Sequence, residues 1–314
     1  MDINRTAINT RCSALEISGS AAAALHPECR GAVAGIYRRC FNLLYPDERL
    51  VTVFTARTRL LPGGVRTDLP AEADCRRIGL ATGQLAYSAG GNLHIPGAKY
   101  VCRLAGAAHR DLRRRGRDLA VEQRQAAGRA LAGALISQLP AAASHKASDW
   151  VAFLAARGEP PFADPSYGRY FYRHFYDLLL AVKALDDKRA TAALQAFAGR
   201  GPGLTPAADD MICGLAAWLG LCAASALTTR LFFRILADYC AGPARRQTTE
   251  SSVFYLACAV RLEFADPVWE LLPALIDGDE AVLMAKVRGI LAFGASSGAD
   301  FCLGMLSAAL CFSY

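Results

Sequence analysis

Hydrophobic and polar positions follow two different rhythms along the chain. Up to about residue 105 the apolar runs are short and broken by glycine and proline. LVTVFTART, residues 50–58, has β-branched positions in alternation and predicts a strand. LPGGVRTDL, 61–69, predicts a turn into another strand, and GGNLHIPGAKYVCRL, 90–104, predicts two short strands around Pro96-Gly97. AVAGIYRRCFNLLY, 32–45, predicts a helix leading into the sheet. From about residue 118 the spacing turns helical. AVEQRQAAGRALAGALISQL (120–139) combines that spacing with good helix formers, and YGRYFYRHFYDLLLAVKAL (167–185) predicts an amphipathic helix with an aromatic core stripe. Pro160, Pro161 and Pro165 break the pattern between them. Further helices are expected near 187–198, 207–226, 229–240, 249–262, 267–276, 279–293 and 298–312. The reading is an α+β chain: a β-rich N-terminal domain over 1–117, then a larger, mostly α-helical domain over 118–314.

Composition narrows the class. The chain has 314 residues and is 53% hydrophobic, which is ample for a large core. Eleven cysteines are scattered from Cys12 to Cys311 without a CxxC pair, and five histidines make no HxxxH pair. Free thiols in a reducing cytoplasm fit this better than a disulfide framework or a local zinc site. The alanine run at 21–24 is too short for a signal-peptide core. MICGLAAWLGLCAASAL, 211–227, falls just short of the ~18 residues of a membrane span and reads as a buried helix. The net charge of +7 is densest in HRDLRRRGRD, 109–118. That stretch reads as a solvated loop or interdomain connector. No aromatics interleave with its arginines, so no nucleic-acid partner is expected.

Candidate chemistry gathers in GRGPGLTPAADDMICG, 199–214. Gly201 and Gly203 permit positive φ and close backbone approach. Thr205-Pro206 suits an N-cap and first helical position. Asp209 and Asp210 then lie in the first helical turn. Two readings stay open. The aspartates stabilise the helix end, or the loop cradles an anion on backbone N–H groups while an aspartate binds a metal or an amide. GASSGADFCLGML, 294–306, repeats the plan: small residues, Asp300, then Gly304 one turn on, as Asp210 is followed by Gly214.

GPGLTPAADD (201–210) resembles the GPGLTPSGDD signature of the AllH-like family of oxamate carbamoyltransferase subunits. YRRCFNL (37–43), TTESS (248–252) and FGASSGADFCLG (293–304) are similar to further stretches of that family's pattern. The resemblance implies a setting in allantoin catabolism. There, oxalurate and phosphate are interconverted with oxamate and carbamoyl phosphate by a hetero-complex with other subunits. The sequence departs from the pattern at Ala207-Ala208, where Ser-Gly is usual, which puts an intact anion site at the first loop in doubt.

Carbamoyl transfer needs donors for phosphate and for a developing oxyanion, with correct placement. Candidate ligand-binding residues are Arg200, Gly201, Gly203, Thr205, Thr249, Ser252, Ser296, Ser297 and Gly298. Asp209, Asp210 and Asp300 are the candidate catalytic residues; Asp210 and Asp300 can accept from an amide NH2 or hold Mg²⁺. Thr249 and Ser252, one turn apart, equally suit a capped helix start. The expected partners are other carbamoyltransferase subunits and a small anionic substrate, with no membrane. The alternative is a non-catalytic, structural or regulatory subunit that binds a small anion or nucleotide.

Overall fold

A computed structural model describes residues 10–46, 49–138, 167–223, 226–294 and 296–312. The three prolines read as breaks at 160, 161 and 165 lie outside the described residues. Contacts divide the chain into two compact units, Met1–Leu112 and Arg113–Tyr314.

The first unit is a barrel. Its strands are β1 (Thr10–Ser18), β2 (Arg30–Ile36), β3 (Cys40–Leu44), β4 (Leu50–Phe54), β5 (Gly64–Thr67), β6 (Leu85–Ala89), β7 (Asn92–Ile95), β8 (Tyr100–Arg103) and β9 (Ala108–Arg110). The order β5-β4-β3-β2-β6-β7-β8-β1 closes on itself because β1 also pairs antiparallel with β5. Closure leaves no unpaired edge in the ring. β1 runs parallel to β8 through Ser13 and then to β9 from Glu16. Val33, Phe41, Leu43, Val51, Val53, Val65, Leu93 and Ile95 fill the interior. A short helix, α1 (Gly19–Ala24), follows β1, capped by the Ser18 hydroxyl.

The expected strands at 50–58, 61–69 and 90–104 are present as β4, β5 and the β7–β8 pair. The helix expected over 32–45 is not. That stretch is the β2–β3 hairpin, with Ala32 opposite Leu44 and Ile36 opposite Phe41. The burial of β2 alternates, Gly31 and Val33 facing in, which is a period of two and not of 3.6. Gly31 belongs to the sheet because a Cβ there would sit 2.7 Å from the Leu44 carbonyl.

The second unit is helical: α2 (Val121–Gln138), α3 (Tyr167–Lys183), α4 (Asp187–Phe197), α5 (Ala207–Cys222), α6 (Leu227–Ala241), α7 (Ala244–Gln247), α8 (Glu250–Val260), α9 (Asp266–Asp277), α10 (Glu280–Leu291) and α11 (Ser297–Phe312). From Met211 to Cys222 every residue of α5 is buried. Apolarity on all sides is what a core-buried helix needs, and it explains the hydrophobic run from 211 to 222; the expected helix ends there, and Leu227 is exposed at the start of α6. Among the described residues no helix is long and apolar enough to cross a membrane. Of the aromatic stripe of α3, Tyr172 and Phe175 lie in the core, and Phe175 stacks on Phe197 at 4.9 Å between ring centroids.

The arginine-rich stretch is tied down rather than free. Arg114 and Arg117 donate backbone N–H groups to the Leu262 and Leu221 carbonyls, and the Arg114 guanidinium pairs with Asp266 at 2.8 Å. A Cβ on Gly116 would lie 1.7 Å from the Gly220 carbonyl, so only glycine lets the strap lie this close.

One three-helix plan occurs twice. A helix, a left-handed residue, an aspartate-capped helix, a glycine-containing loop and a further helix follow in that order in α3–α5 and again in α9–α11. Leu185 (φ 57°) and Gly278 (φ 72°) both turn left-handed just before Asp186 and Asp279, which cap α4 and α10. α5 and α11 cross in close contact at two glycines. A Cβ on Gly214 would lie 1.9 Å from the Phe301 carbonyl, and one on Gly304 would lie 2.0 Å from the Met211 carbonyl. Each glycine faces the carbonyl three residues before the other, so the crossing has a local two-fold character.

Candidate functional site

The two-fold crossing brings the starts of α5 and α11 together. The first start is built by the glycine loop. Gly199, Gly201 and Gly203 have φ of 74°, 110° and 108°, a region that L side chains rarely enter. Space is a second constraint at Gly199, where a Cβ would fall 2.0 Å from the Gln247 carbonyl. The backbone N–H groups of Gly201, Gly203, Leu204 and Thr205 make no hydrogen bond among the described residues.

The cap differs from the sequence expectation. Pro206 occupies the N-cap position and the helix begins at Ala207, without a side-chain capping bond. The Thr205 hydroxyl is used elsewhere: it donates to Asp210 Oδ2 at 3.1 Å and lies 2.9 Å from Ser297 Oγ on the second helix start.

The two aspartates do different work. Asp209 is buried, and its Oδ1 accepts from the Gly199 N–H at 2.8 Å. Its Oδ2 accepts from the Thr248 hydroxyl. Burial raises its pKa, against the pull of Thr248, Gly199 and Ser252. Ser252 Oγ is buried beside it but makes no hydrogen bond of ordinary geometry. Asp209 therefore braces the loop against the Thr248–Ser252 turn instead of capping its own helix. Thr249 completes the brace. It caps α8 by accepting from the Ser252 N–H and donates its hydroxyl to the Leu204 carbonyl in the glycine loop.

Asp210 sits at the junction of the two helix starts. Its pKa is pushed up to about 8, first by burial. Hydroxyls of Ser297 and Thr205 oppose that shift, and the charges of Asp300 and Asp209 add to it. Asp300 is thus within electrostatic reach of Asp210.

The second start repeats the backbone of the first. The N–H groups of Asp209 and Asp210 both bond to the Pro206 carbonyl; those of Ala299 and Asp300 both bond to the Ser296 carbonyl. In this register Ala207-Ala208 correspond to Ser297-Gly298, so the Ser-Gly pair survives only in the second half. Ala208 is wholly buried and points its methyl into the core. Gly298 donates its N–H to the Phe293 carbonyl, and a Cβ there would lie 2.1 Å from the Ile290 carbonyl. Its glycine serves packing, and its N–H is already used. Ser296 is exposed. Arg200 turns back, its Nε donating to the Ala196 carbonyl at the end of α4.

Two family models match the chain. The model described as the AllH family N-terminal domain covers residues 13–109, and that of oxamate carbamoyltransferase subunit AllH covers 197–309. The chain belongs to the AllH family. The first AllH match spans most of the barrel, and the second contains the glycine loop, the threonine turn and both helix starts. No solved structure gives a significant match.

The site contains one AllH residue that sequence reasoning passed over. Thr248, named only as part of TTESS, is the donor that locks Asp209. Its adjacency to the capping Thr249 was the available signal. No group of three or more His, Cys, Asp or Glu side chains able to hold a metal ion occurs among the described residues. At Asp210 burial favours the protonated carboxyl, against the Thr205 and Ser297 hydroxyls.

The brace gives a direct expectation. Asp209→Ala strands the Gly199 N–H and the Thr248 hydroxyl in a half-buried place and is expected to cost about 1–2 kcal/mol. Urea unfolding measures it. An unchanged midpoint would show that Asp209 does not hold the loop.

Proposed function

We propose that this chain is the subunit of an oxamate carbamoyltransferase complex that holds the carboxylate-and-amide end of the substrate between its two helix starts. The reaction is oxalurate and phosphate to oxamate and carbamoyl phosphate, in allantoin catabolism in the cytoplasm. The observation that carries this reading is the convergence of three family stretches. Thr205 of the first meets Ser297 of the second at 2.9 Å, while Thr248 and Thr249 of the third bond Asp209 and the Leu204 carbonyl.

The roles follow from the chemistry available. The N–H groups of Gly201, Gly203, Leu204 and Thr205 have no partner among the described residues and suit an oxyanion or carboxylate. Asp210, protonated near neutral pH, donates to the anion. Asp300 accepts from the amide NH2. Asp209 positions the loop and touches no substrate. Arg200, the cation nearest the glycine loop in the sequence, turns back to the Ala196 carbonyl, so the partner subunits are expected to supply the phosphate clamp.

The test is reconstitution. The purified chain alone should bind oxamate without turning over oxalurate and phosphate. Activity should appear when the subunits that copurify with it are added. Full turnover by the chain alone would sink the subunit reading, and activity of the partners without it would sink its role in catalysis.

A further inference from the structure

The barrel carries a thiol pair that the proposed function does not use. Cys12 on β1 and Cys102 on β8 are direct register partners on neighbouring parallel strands. Side chains of such partners leave the sheet on the same face. Cys12 Sγ lies 3.0 Å from the Tyr100 hydroxyl, and the Cys102 thiol stands across the register from it. Cys102 and Tyr100 are buried, whereas Cys12 is half-buried. Cys12 is the less buried of the two thiols, and the Tyr100 phenol and the Cys102 thiol share its face of the sheet.

We propose that Cys12 and Cys102 form a reversible thiol–disulfide switch that reacts with small disulfides of the glutathione type. The Cys12 thiolate attacks one sulfur of the small disulfide. That S–S bond breaks, a mixed disulfide forms on Cys12, and one small thiolate leaves and takes a proton. Cys102 then gives up its proton, attacks the Cys12 sulfur and expels the second small thiol. The protein loses two electrons and the small disulfide gains them.

Three features support the order of attack. The Cys102 thiol and the Tyr100 hydroxyl stabilise the anion on Cys12 and lower its pKa against the effect of burial. The half-buried Cys40 and Cys240 move the other way, pushed up to about 11 and about 12 by burial. Cys102 is raised by its contact with Cys12 and by burial, so Cys12 is the better attacking thiol of the two. The spacing also fits a labile bridge. Neighbouring strands lie ~4.8 Å apart, inside the Cα range of disulfides but wider than their usual Cβ spacing of ~3.8 Å. The β1–β8 ladder covers only Thr10–Ser13, so closure strains a short ladder, and strained bridges are readily reduced.

The test uses the full-length chain, reduced and then exposed to oxidised glutathione, with peptide mapping after alkylation. A Cys12–Cys102 bridge should be the first product. Cys102→Ser should keep glutathione on Cys12, and Cys12→Ser should leave Cys102 unmodified. In the unaltered chain at pH 7, iodoacetamide should label Cys12 at least tenfold faster than Cys40, and Tyr100→Phe should slow that labelling. Labelling of Cys12 no faster than Cys40, a different first bridge, or glutathione persisting on Cys12 in the unaltered chain would each overturn the proposal.

Discussion

Gly214→Ala and Gly304→Ala are each expected to destabilise the helical unit by about 3–5 kcal/mol, with melting lowered on the order of 10 °C. A methyl on either glycine would lie 2.0 Å or less from a backbone carbonyl of the opposite helix. Such a carbonyl cannot turn aside as a flexible side chain would, so α5 and α11 must separate. Both are buried on nearly every side, and separation opens the packing around Trp218, Leu215, Met305 and Leu306. It also pulls Thr205 from Ser297, so oxamate binding should weaken even in a variant that still folds. Gly133→Ala is the control. Gly133 lies on the exposed side of α2 with nothing near its missing Cβ, and alanine there should add up to about 1 kcal/mol. Thermal unfolding of the three variants decides the matter. Near-parent stability of Gly214→Ala would show that the close crossing is not required.

How much of this was legible in the sequence varied with the kind of signal. The helices were readable because their apolar spacing and caps are local. Asp186 and Asp279 each accept from an N–H three residues on. The β2–β3 hairpin was misread because AVAGIYRRCFNLLY is rich in residues that suit either state. What settles it is the pairing of β2 with β6 and of β3 with β4, which is not local. Strands β1, β6 and β9 were not anticipated. Their short runs acquire meaning only when the ring closes.

At the site, the repeat of aspartate and glycine in 199–214 and 294–306 could be read directly, and the crossing at Gly214 and Gly304 gives it a physical cause. The division of labour between Asp209 and Asp210 could not. Adjacent residues on a helix point about 100° apart, and only the packed structure shows one turned to Thr248 and the other to Ser297. The shift of the N-cap from Thr205 to Pro206 was equally hidden. Thr205 has a competing partner 92 residues away in the sequence.

Asp210→Asn is expected to change both the pH dependence of stability and the pH dependence of ligand binding. The carboxyl titrates near pH 8 in the folded chain, against about 3.9 when unfolded. The folded state therefore holds this proton more tightly. The resulting stability is fully present below about pH 4, declines as pH rises, and is gone above about pH 8. Because the group is partly exposed, the loss between pH 5 and pH 8 should be on the order of 1–2 kcal/mol, less than the whole shift implies. Asparagine carries no proton to lose, so the variant should be the more stable form at pH 8–9 and show a flatter profile. Some slope remains, because the raised Asp209 contributes in the same direction. Binding gives the larger effect. If protonated Asp210 donates to the anion, oxamate affinity of the parent should fall about tenfold per pH unit above 8. The asparagine amide, still a donor, should hold affinity level over that range. Calorimetric titration from pH 6 to pH 10 distinguishes these outcomes. Parallel loss of affinity in parent and variant would place the critical proton elsewhere and remove Asp210 from the anion site.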